Sequence, residues 1–147
     1  MTDSDENDVC RPLGLNLLAG LYLFFFLLSA STYGNPFPFI GTIYQGVPAK
    51  ALVFIDSLVC LYLFLGIMKR QAITWHLLLA YNLFEILNTI INLNVISQEE
   101  LQRIIGPRVQ QESLASANIA ASLAILLLSQ FIYRHKHYFT NKRKYLF

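Results

Sequence analysis

Charged residues are scarce in this sequence of 147 residues: Asp, Glu, Lys and Arg make up 14% of it, whereas hydrophobic residues make up 55%. Soluble domains carry about 25% charged residues, so the composition excludes an ordinary soluble protein. Cysteine is rarer still, and Cys10 and Cys60 are too few to build a disulfide framework. We therefore expect a membrane protein without a disulfide.

Recognisable catalytic motifs are also missing. The sequence has no Cys-x-x-Cys for thiol exchange, no His-Glu-x-x-His for zinc, no Gly-x-Ser-x-Gly nucleophile elbow and no glycine-rich phosphate loop. His76 and His135 invite comparison with a bis-histidine haem site, but imidazole has many other uses and two lone histidines are weak support. We predict no cofactor and no metal, and no motif supports an enzyme.

Long apolar segments make up most of the sequence. Four stretches of about 20 residues lack strong charge, which is the length that crosses a hydrocarbon core roughly 30 Å thick. They predict an all-α fold: an integral membrane four-helix bundle with antiparallel, up-down helices and loops too short to hold another domain. The four predicted spans cover residues 13–33, 49–68, 72–95 and 114–133.

The basic residues predict the orientation of these spans. In a chain that crosses four times, eight of the eleven Lys and Arg fall on one side: Arg11, the Lys69–Arg70 turn and the tail 134–147. The positive-inside rule then places both termini in the cytoplasm of a multi-pass cell-membrane protein. The acidic head 1–10 contributes little to orientation. Its acidity, with the long apolar run that follows, argues against a cleaved signal peptide.

The tail 134–147 is basic and aromatic, which favours anionic membrane lipid over nucleic acid as its partner.

The first outer loop, 34–48, is also aromatic, and its three prolines exclude a regular helix. Two interpretations stay open for it: an aromatic anchor at the membrane interface, or a lid over an outward-facing cavity. In the second outer loop, Ser97 and Glu100 fit a capping box, and Gly106-Pro107 ends the short amphipathic surface helix that this predicts.

Small residues are concentrated in span four, where they let helix backbones approach closely in lipid. We expect this face, which includes Ala121, to pack within the bundle rather than against a second copy. The aromatic run Phe24-Phe25-Phe26 of span one is expected to face lipid. On this interpretation Ala121→Leu disturbs helix packing, whereas Phe25→Leu is nearly silent.

Glu85, near the centre of span three, is the most informative single residue. An ionisable side chain at that depth is costly unless it is neutralised or partnered, so it is a candidate functional site. On a helical wheel it belongs to a polar stripe that covers roughly a third of the circumference and must face protein or a water-filled cavity. The stripe contains Asn82, Glu85, Asn88, Thr89 and Asn92, with Tyr81 at its edge.

Asp56 on span two is expected at a depth similar to that of Glu85, because sequential spans run in opposite directions. Two close, desolvated carboxyls rarely both ionise, so the pair predicts a proton, cation or ligand site. The alternative is that the same groups only tie helices together, through hydrogen bonds of about 0.6–2 kcal/mol each. The predicted site residues are Glu85, Asp56, Asn82, Asn88, Asn118, Ser122 and Tyr22.

The start of span one, Arg11-Pro12-Leu13-Gly14, together with four short spans and the Lys69-Arg70 turn, resembles the small four-span prokaryotic membrane proteins of unknown function. The resemblance covers the layout of most of the chain and implies no activity. Small multidrug transporters are similar in size and carry one membrane glutamate. Theirs lies in the first span, where this chain has no acid.

These features favour a non-enzymatic membrane protein. We expect an accessory subunit, or a binder of a lipid-like or small ligand in the outer-leaflet half of the bundle, with membrane lipid and a protein partner or second copy as its partners. The alternative is a small proton- or cation-coupled carrier that uses Glu85 and Asp56. Carriers often contain inverted repeats, and no clear repeat relates residues 13–68 to residues 72–133, which favours binding.

Overall fold

The computed structural model describes residues 12–107 and 111–143. Within them, four helices are long and apolar enough to cross a membrane, which confirms the predicted spans and indicates a multi-pass membrane protein. The acidic head 1–10, including Cys10, and the end of the basic tail lie outside the described residues. The four helices are α1 (Leu13–Ser31), α2 (Gly46–Met68), α3 (Ala72–Val95) and α5 (Gln111–Arg134).

The most extensive contacts between helices join α1 to α2 and α3 to α5, with a smaller contact between α2 and α3. At the α2–α3 turn the two helices approach so closely that a side chain at Gly66 would collide with Thr74. Glycine ordinarily weakens a helix interior, but here its missing side chain permits the contact. The packed core lies towards this end of the helices. It includes Leu15, Leu18, Tyr22, Leu63, Ile67, Trp75, Leu78 and Ile132.

The packed faces of α1 and α5 differ from the expectation. The ring of Phe25 meets that of Tyr22 edge-on, 5.5 Å between centroids, and packs against the core, whereas Ala121 is exposed. The prediction that Ala121 is packed and Phe25 faces lipid is therefore wrong for the described chain. Because α5 contacts α3 through a face that includes Ile132, its run of small residues lies mostly on the other side.

The chain after α5 folds back onto the α2–α3 turn. The backbone N–H of Asn141 donates to the carbonyl of Arg70 at 3.0 Å, and its own carbonyl accepts from Ala72 at 2.8 Å. The Lys136 ammonium lies 4.6 Å from the ring centroid of Trp75, which is the geometry of a cation–π contact. The described part of the tail therefore packs against the basic turn, at one end of the helices.

A β-hairpin occupies the loop between α1 and α2. Strands β1 (Phe37–Phe39) and β2 (Thr42–Tyr44) pair in antiparallel register, and Ile40 and Gly41 between them have φ values of 46° and 76°. Two positive φ angles match the right-handed twist of a tight hairpin. The described chain is predominantly helical, as the all-α prediction expects, and the hairpin adds one short two-stranded sheet to it.

The predicted surface helix is present as α4 (Gln98–Ile105). The backbone N–H of Glu100 donates to the side-chain oxygen of Ser97 at 3.2 Å, so Ser97 is the N-cap as predicted. Gly106, at φ 119°, ends the helix in a conformation that side chains disfavour.

Candidate functional site

Asp56 is the centre of a hydrogen-bond network that links three spans. The Ser29 hydroxyl of α1 donates to its Oδ2 at 2.6 Å, and the Tyr81 phenol of α3 donates to its Oδ1 at 2.8 Å. Two further groups extend the network: the Cys60 thiol lies 3.3 Å from the Tyr81 oxygen, and the Ser57 hydroxyl lies 3.1 Å from that of Ser29. A carboxyl with a donor on each oxygen has partners in place of water, which offsets the cost of leaving water.

A second polar link joins α1 to α3. The phenol of Tyr22, which is fully buried, donates to Oδ1 of Asn82 at 2.7 Å. Asn82 is 2% exposed, and its Nδ2 has no hydrogen-bond partner among the described residues. An unsatisfied buried donor costs about 1–3 kcal/mol, so this amide calls for an acceptor.

All four spans line one cavity of about 250 Å³, which we call the Asp56 cavity. Its carboxyls, Asp56 and Glu85, lie close enough to interact electrostatically. Unlike the carboxyl of Asp56, the carboxyl of Glu85 makes no hydrogen bond with any other described residue. The remaining polar lining comes from Ser29, Thr32, Tyr81 and Asn82, and the less polar lining from Phe25, Leu28, Phe37, Cys60 and Ile125.

A neighbouring cavity of about 240 Å³, the Asn118 cavity, lies between α3, α4, α5 and the hairpin. Glu85 and Phe37 line both cavities, so the Glu85 carboxyl stands where the two spaces adjoin. Polar groups of α3, α4 and α5 contribute to it, together with apolar side chains. The polar lining residues are Glu85, Asn88, Thr89, Asn92, Gln98 and Asn118.

The hairpin is fastened to α3 by two asparagines. The backbone N–H of Ile40 donates to Oδ1 of Asn88 at 2.8 Å, and that of Gly41 donates to Oδ1 of Asn92 at 2.7 Å. A side chain at Gly41 would collide with Val95, so glycine is needed for the close approach as well as for the turn. The hairpin places Phe37 in the wall of both cavities, which favours the lid interpretation of this loop.

The lining residues of the two cavities carry charge of one sign only. Within the described part of the chain they include two carboxylic acids and no Lys, Arg or His. No group of three or more His, Cys, Asp or Glu side chains in that part of the chain could hold a metal ion. The arrangement therefore suits a ligand that carries positive charge better than one that carries negative charge.

The structure brings most of the predicted site residues together. Asp56, Glu85 and Asn82 line the Asp56 cavity, and Asn88 and Asn118 line the Asn118 cavity. Tyr22 and Ser122 are among the lining residues of neither: Tyr22 is packed in the core and positions Asn82, and Ser122 lies half-buried on α5.

Cys60, Phe37 and Gln98 are among the lining residues that sequence reasoning missed. Cys60 lies four residues, about one helical turn, after Asp56, and that spacing could have pointed to it. No sequence signal identifies the other two, because their positions depend on how the hairpin and α4 pack.

Comparison of the chain with protein families, curated proteins and solved structures finds no match.

Proposed function

We propose that this protein binds a small or lipid-like ligand in the outer-leaflet half of an antiparallel, up-down membrane bundle, with both termini in the cytoplasm. One observation carries the proposal: all four spans line the Asp56 cavity, where a few polar groups converge among apolar side chains. Ligand sites are usually concave and mostly apolar, with a small number of placed polar groups that orient the ligand. An accessory-subunit role fits the same arrangement, since a bound lipid can stabilise a bundle next to a partner.

The two carboxyls differ in their hydrogen-bond partners, and this difference supports ligand binding over a purely structural role. If the polar groups served only to hold helices together, each would be expected to have a partner in the protein. Asp56 fits that role, because Ser29 and Tyr81 both donate to it. Glu85 and the Nδ2 atom of Asn82 lack such partners among the described residues, so they are the groups left for a ligand.

The hairpin supports an entrance on the proposed outer side. It covers the cavities from the end of the helices opposite the basic turn. Its hydrogen bonds with Asn88 and Asn92 number three, and they can be broken separately from the helices. Loop segments held by few contacts open at low cost, and ligand-binding lids are commonly of this type.

A second candidate is a small proton- or cation-coupled carrier that uses Glu85 and Asp56. The observation that favours it is the position of Glu85, which lines both cavities and so could exchange a proton or cation between them. A carrier must move its cargo to the opposite side of the membrane, whereas a binder need only retain it. Uptake of a cation into sealed vesicles that contain the protein therefore separates the two.

Native mass spectrometry of protein extracted in mild detergent tests the binding proposal. Ile125→Trp adds bulk at the wall of the Asp56 cavity, whereas Leu126→Trp places the same side chain on an exposed position one residue away. We expect a bound small molecule or lipid, at one per chain, on the wild type and on Leu126→Trp but not on Ile125→Trp. Equal retention by all three proteins, or by none, would contradict a site in this cavity.

A further inference from the structure

We infer that the ligand of the Asp56 cavity is a lipophilic ammonium ion with a hydrogen-bond acceptor next to its nitrogen, as in a long-chain amino alcohol. This inference rests on the proposed function and adds the chemical class of the ligand. It depends on three features of the cavity: its charge, its unpartnered amide and its apolar walls.

The charge of the cavity selects a cation. Asp56 and Glu85 are the carboxylic acids among its described lining residues, and none of those residues is basic. Because Ser29 and Tyr81 donate to Asp56, the carboxyl that still requires a donor is that of Glu85. An anionic ligand would meet two acids, and a neutral apolar ligand would leave Glu85 desolvated and unpaired, which is costly. An ammonium group supplies both charge and N–H donors.

The unpartnered amide of Asn82 selects an acceptor at a defined distance from that charge. Asn82 is 2% exposed and lines the cavity, and its Nδ2 has no partner in the described chain. It precedes Glu85 by three residues on α3, so the two side chains are neighbours on one helix face, with Cβ atoms about 5–6 Å apart. A hydroxyl or carbonyl oxygen within two or three bonds of the ligand nitrogen can reach the amide while the nitrogen meets Glu85.

The size and walls of the cavity exclude a bare inorganic cation as its full occupant. A water molecule takes up about 30 Å³ of liquid, so a space of about 250 Å³ is far larger than a single ion needs. Phe25, Phe37 and Ile125 form its apolar side. An apolar body attached to the ammonium group fills that side, and the aromatic rings also attract a cation.

Thermal unfolding in a neutral detergent, with added dodecanol, dodecylamine or 1-amino-2-dodecanol, tests the inference, because a ligand that binds the folded state raises Tm. For the wild type we expect the amino alcohol to bind tighter than the amine and the amine tighter than the alcohol. Glu85→Gln keeps the shape of the side chain and should weaken amine binding by about tenfold or more, the usual effect of losing one charge-assisted hydrogen bond. Glu99→Gln, an exposed acid outside both cavities, is the matched control and should bind as the wild type does.

Two other variants keep the test decisive. Glu85→Asp retains the charge, so it should still prefer the amine to dodecanol, and it carries the comparison if Glu85→Gln does not fold. Ile125→Trp should abolish binding of all three compounds. If dodecanol and dodecylamine bind equally, and Ile125→Trp abolishes both, the ligand class is wrong while the proposed function stands. If Ile125→Trp changes nothing, both fail, and if the added hydroxyl gives no gain, the role assigned to Asn82 is wrong.

Discussion

Tyr81 and Asp56 are joined across two spans by a hydrogen bond of 2.8 Å, in which the phenol of α3 donates to the carboxyl of α2. Because Ser29 donates to the other oxygen of Asp56, this carboxyl is held by the protein on both sides. Glu85, one turn beyond Tyr81, faces the same cavity without such a donor among the described residues. The two acids at the site therefore have different environments.

Removing the Tyr81 hydroxyl should loosen the contact between α2 and α3. Tyr81→Phe deletes the donor to Asp56 and leaves the ring in place, so we expect a loss of about 0.6–2 kcal/mol, typical of interhelical hydrogen bonds in membranes. Thermal unfolding in detergent measures it. Tyr133→Phe, on a side chain that is 66% exposed, is the control and should leave Tm almost unchanged. Equal Tm values for the two variants would show that the Tyr81–Asp56 bond contributes nothing.

Releasing the hairpin should expose its backbone to exchange with water. In the double variant Asn88→Ala, Asn92→Ala, the N–H groups of Ile40 and Gly41 lose their acceptors. Each such bond contributes about 1 kcal/mol, so the amides should exchange roughly 5–30-fold faster. Hydrogen exchange followed by mass spectrometry of residues 37–44 gives the rate. Asn94→Ala removes an asparagine that bonds only within its own helix, so unchanged exchange is expected there.

The packed face of α1 can be tested against the exposed face of α5. Phe25→Leu removes an aromatic contact with Tyr22 that contributes about 0.5–1.5 kcal/mol beyond its area burial. Ala121→Leu enlarges an exposed side chain, which in lipid or detergent costs little. We therefore expect Phe25→Leu to lower Tm in detergent more than Ala121→Leu does. The reverse order would mean that Ala121 packs against another helix, as its small size first suggested.

The proposed orientation makes a labelling prediction. Gln45 and Thr140 are both exposed and uncharged, so a cysteine at either position is accessible to a label. In a Cys10→Ser background, Gln45→Cys should react with a membrane-impermeant maleimide added to intact cells. Thr140→Cys should react only after the cells are opened, because the positive-inside rule places the basic tail in the cytoplasm. Labelling of Thr140→Cys alone in intact cells would reverse the orientation.

The features that sequence predicts well here are those that local chemistry decides. Apolar length alone places the four spans, and the spacing of Ser97 and Glu100 is enough to place the start of α4. The hairpin is different, since its turn needs positive φ at Ile40 and at Gly41 and is completed by asparagines some fifty residues away. Such a contact becomes visible only after the helices have been packed.

The candidate site likewise combines features that the sequence predicts with features that depend on how the helices pack. Periodicity puts Asn82, Glu85 and Asn88 on one face of α3, and the structure agrees that this face lines cavities. Periodicity does not say which polar groups are already hydrogen-bonded within the protein. Asn88 accepts from the hairpin and Asn82 from Tyr22, so only part of the polar stripe is left for a ligand. On α5, composition indicated close packing but could not say which face meets α3.

Glu85 should recognise the ligand through its charge. A carboxyl attracts an ammonium ion only when it is ionised, so binding of dodecylamine should weaken as pH falls through the titration of Glu85, while the amine itself stays protonated. Glu85→Gln cannot titrate, so it should bind weakly at every pH and lose most of this dependence. Ligand-induced shifts in Tm, measured from neutral to mildly acidic pH, follow the effect.

Three other ionisable groups line the same cavity: the carboxyl of Asp56, the phenol of Tyr81 and the thiol of Cys60. Asp56 is the other carboxyl, so the pH dependence of binding must also be measured in a variant that alters Asp56 alone. Asp56→Asn keeps a side-chain oxygen that can accept from Tyr81 or Ser29, and in it the pH response of Glu85 should persist. If Glu85→Gln binds dodecylamine as the wild type does and with the same pH response, Glu85 does not recognise the ligand. It would then be a buried side chain with no part in binding, and the pH dependence would come from another group of the cavity.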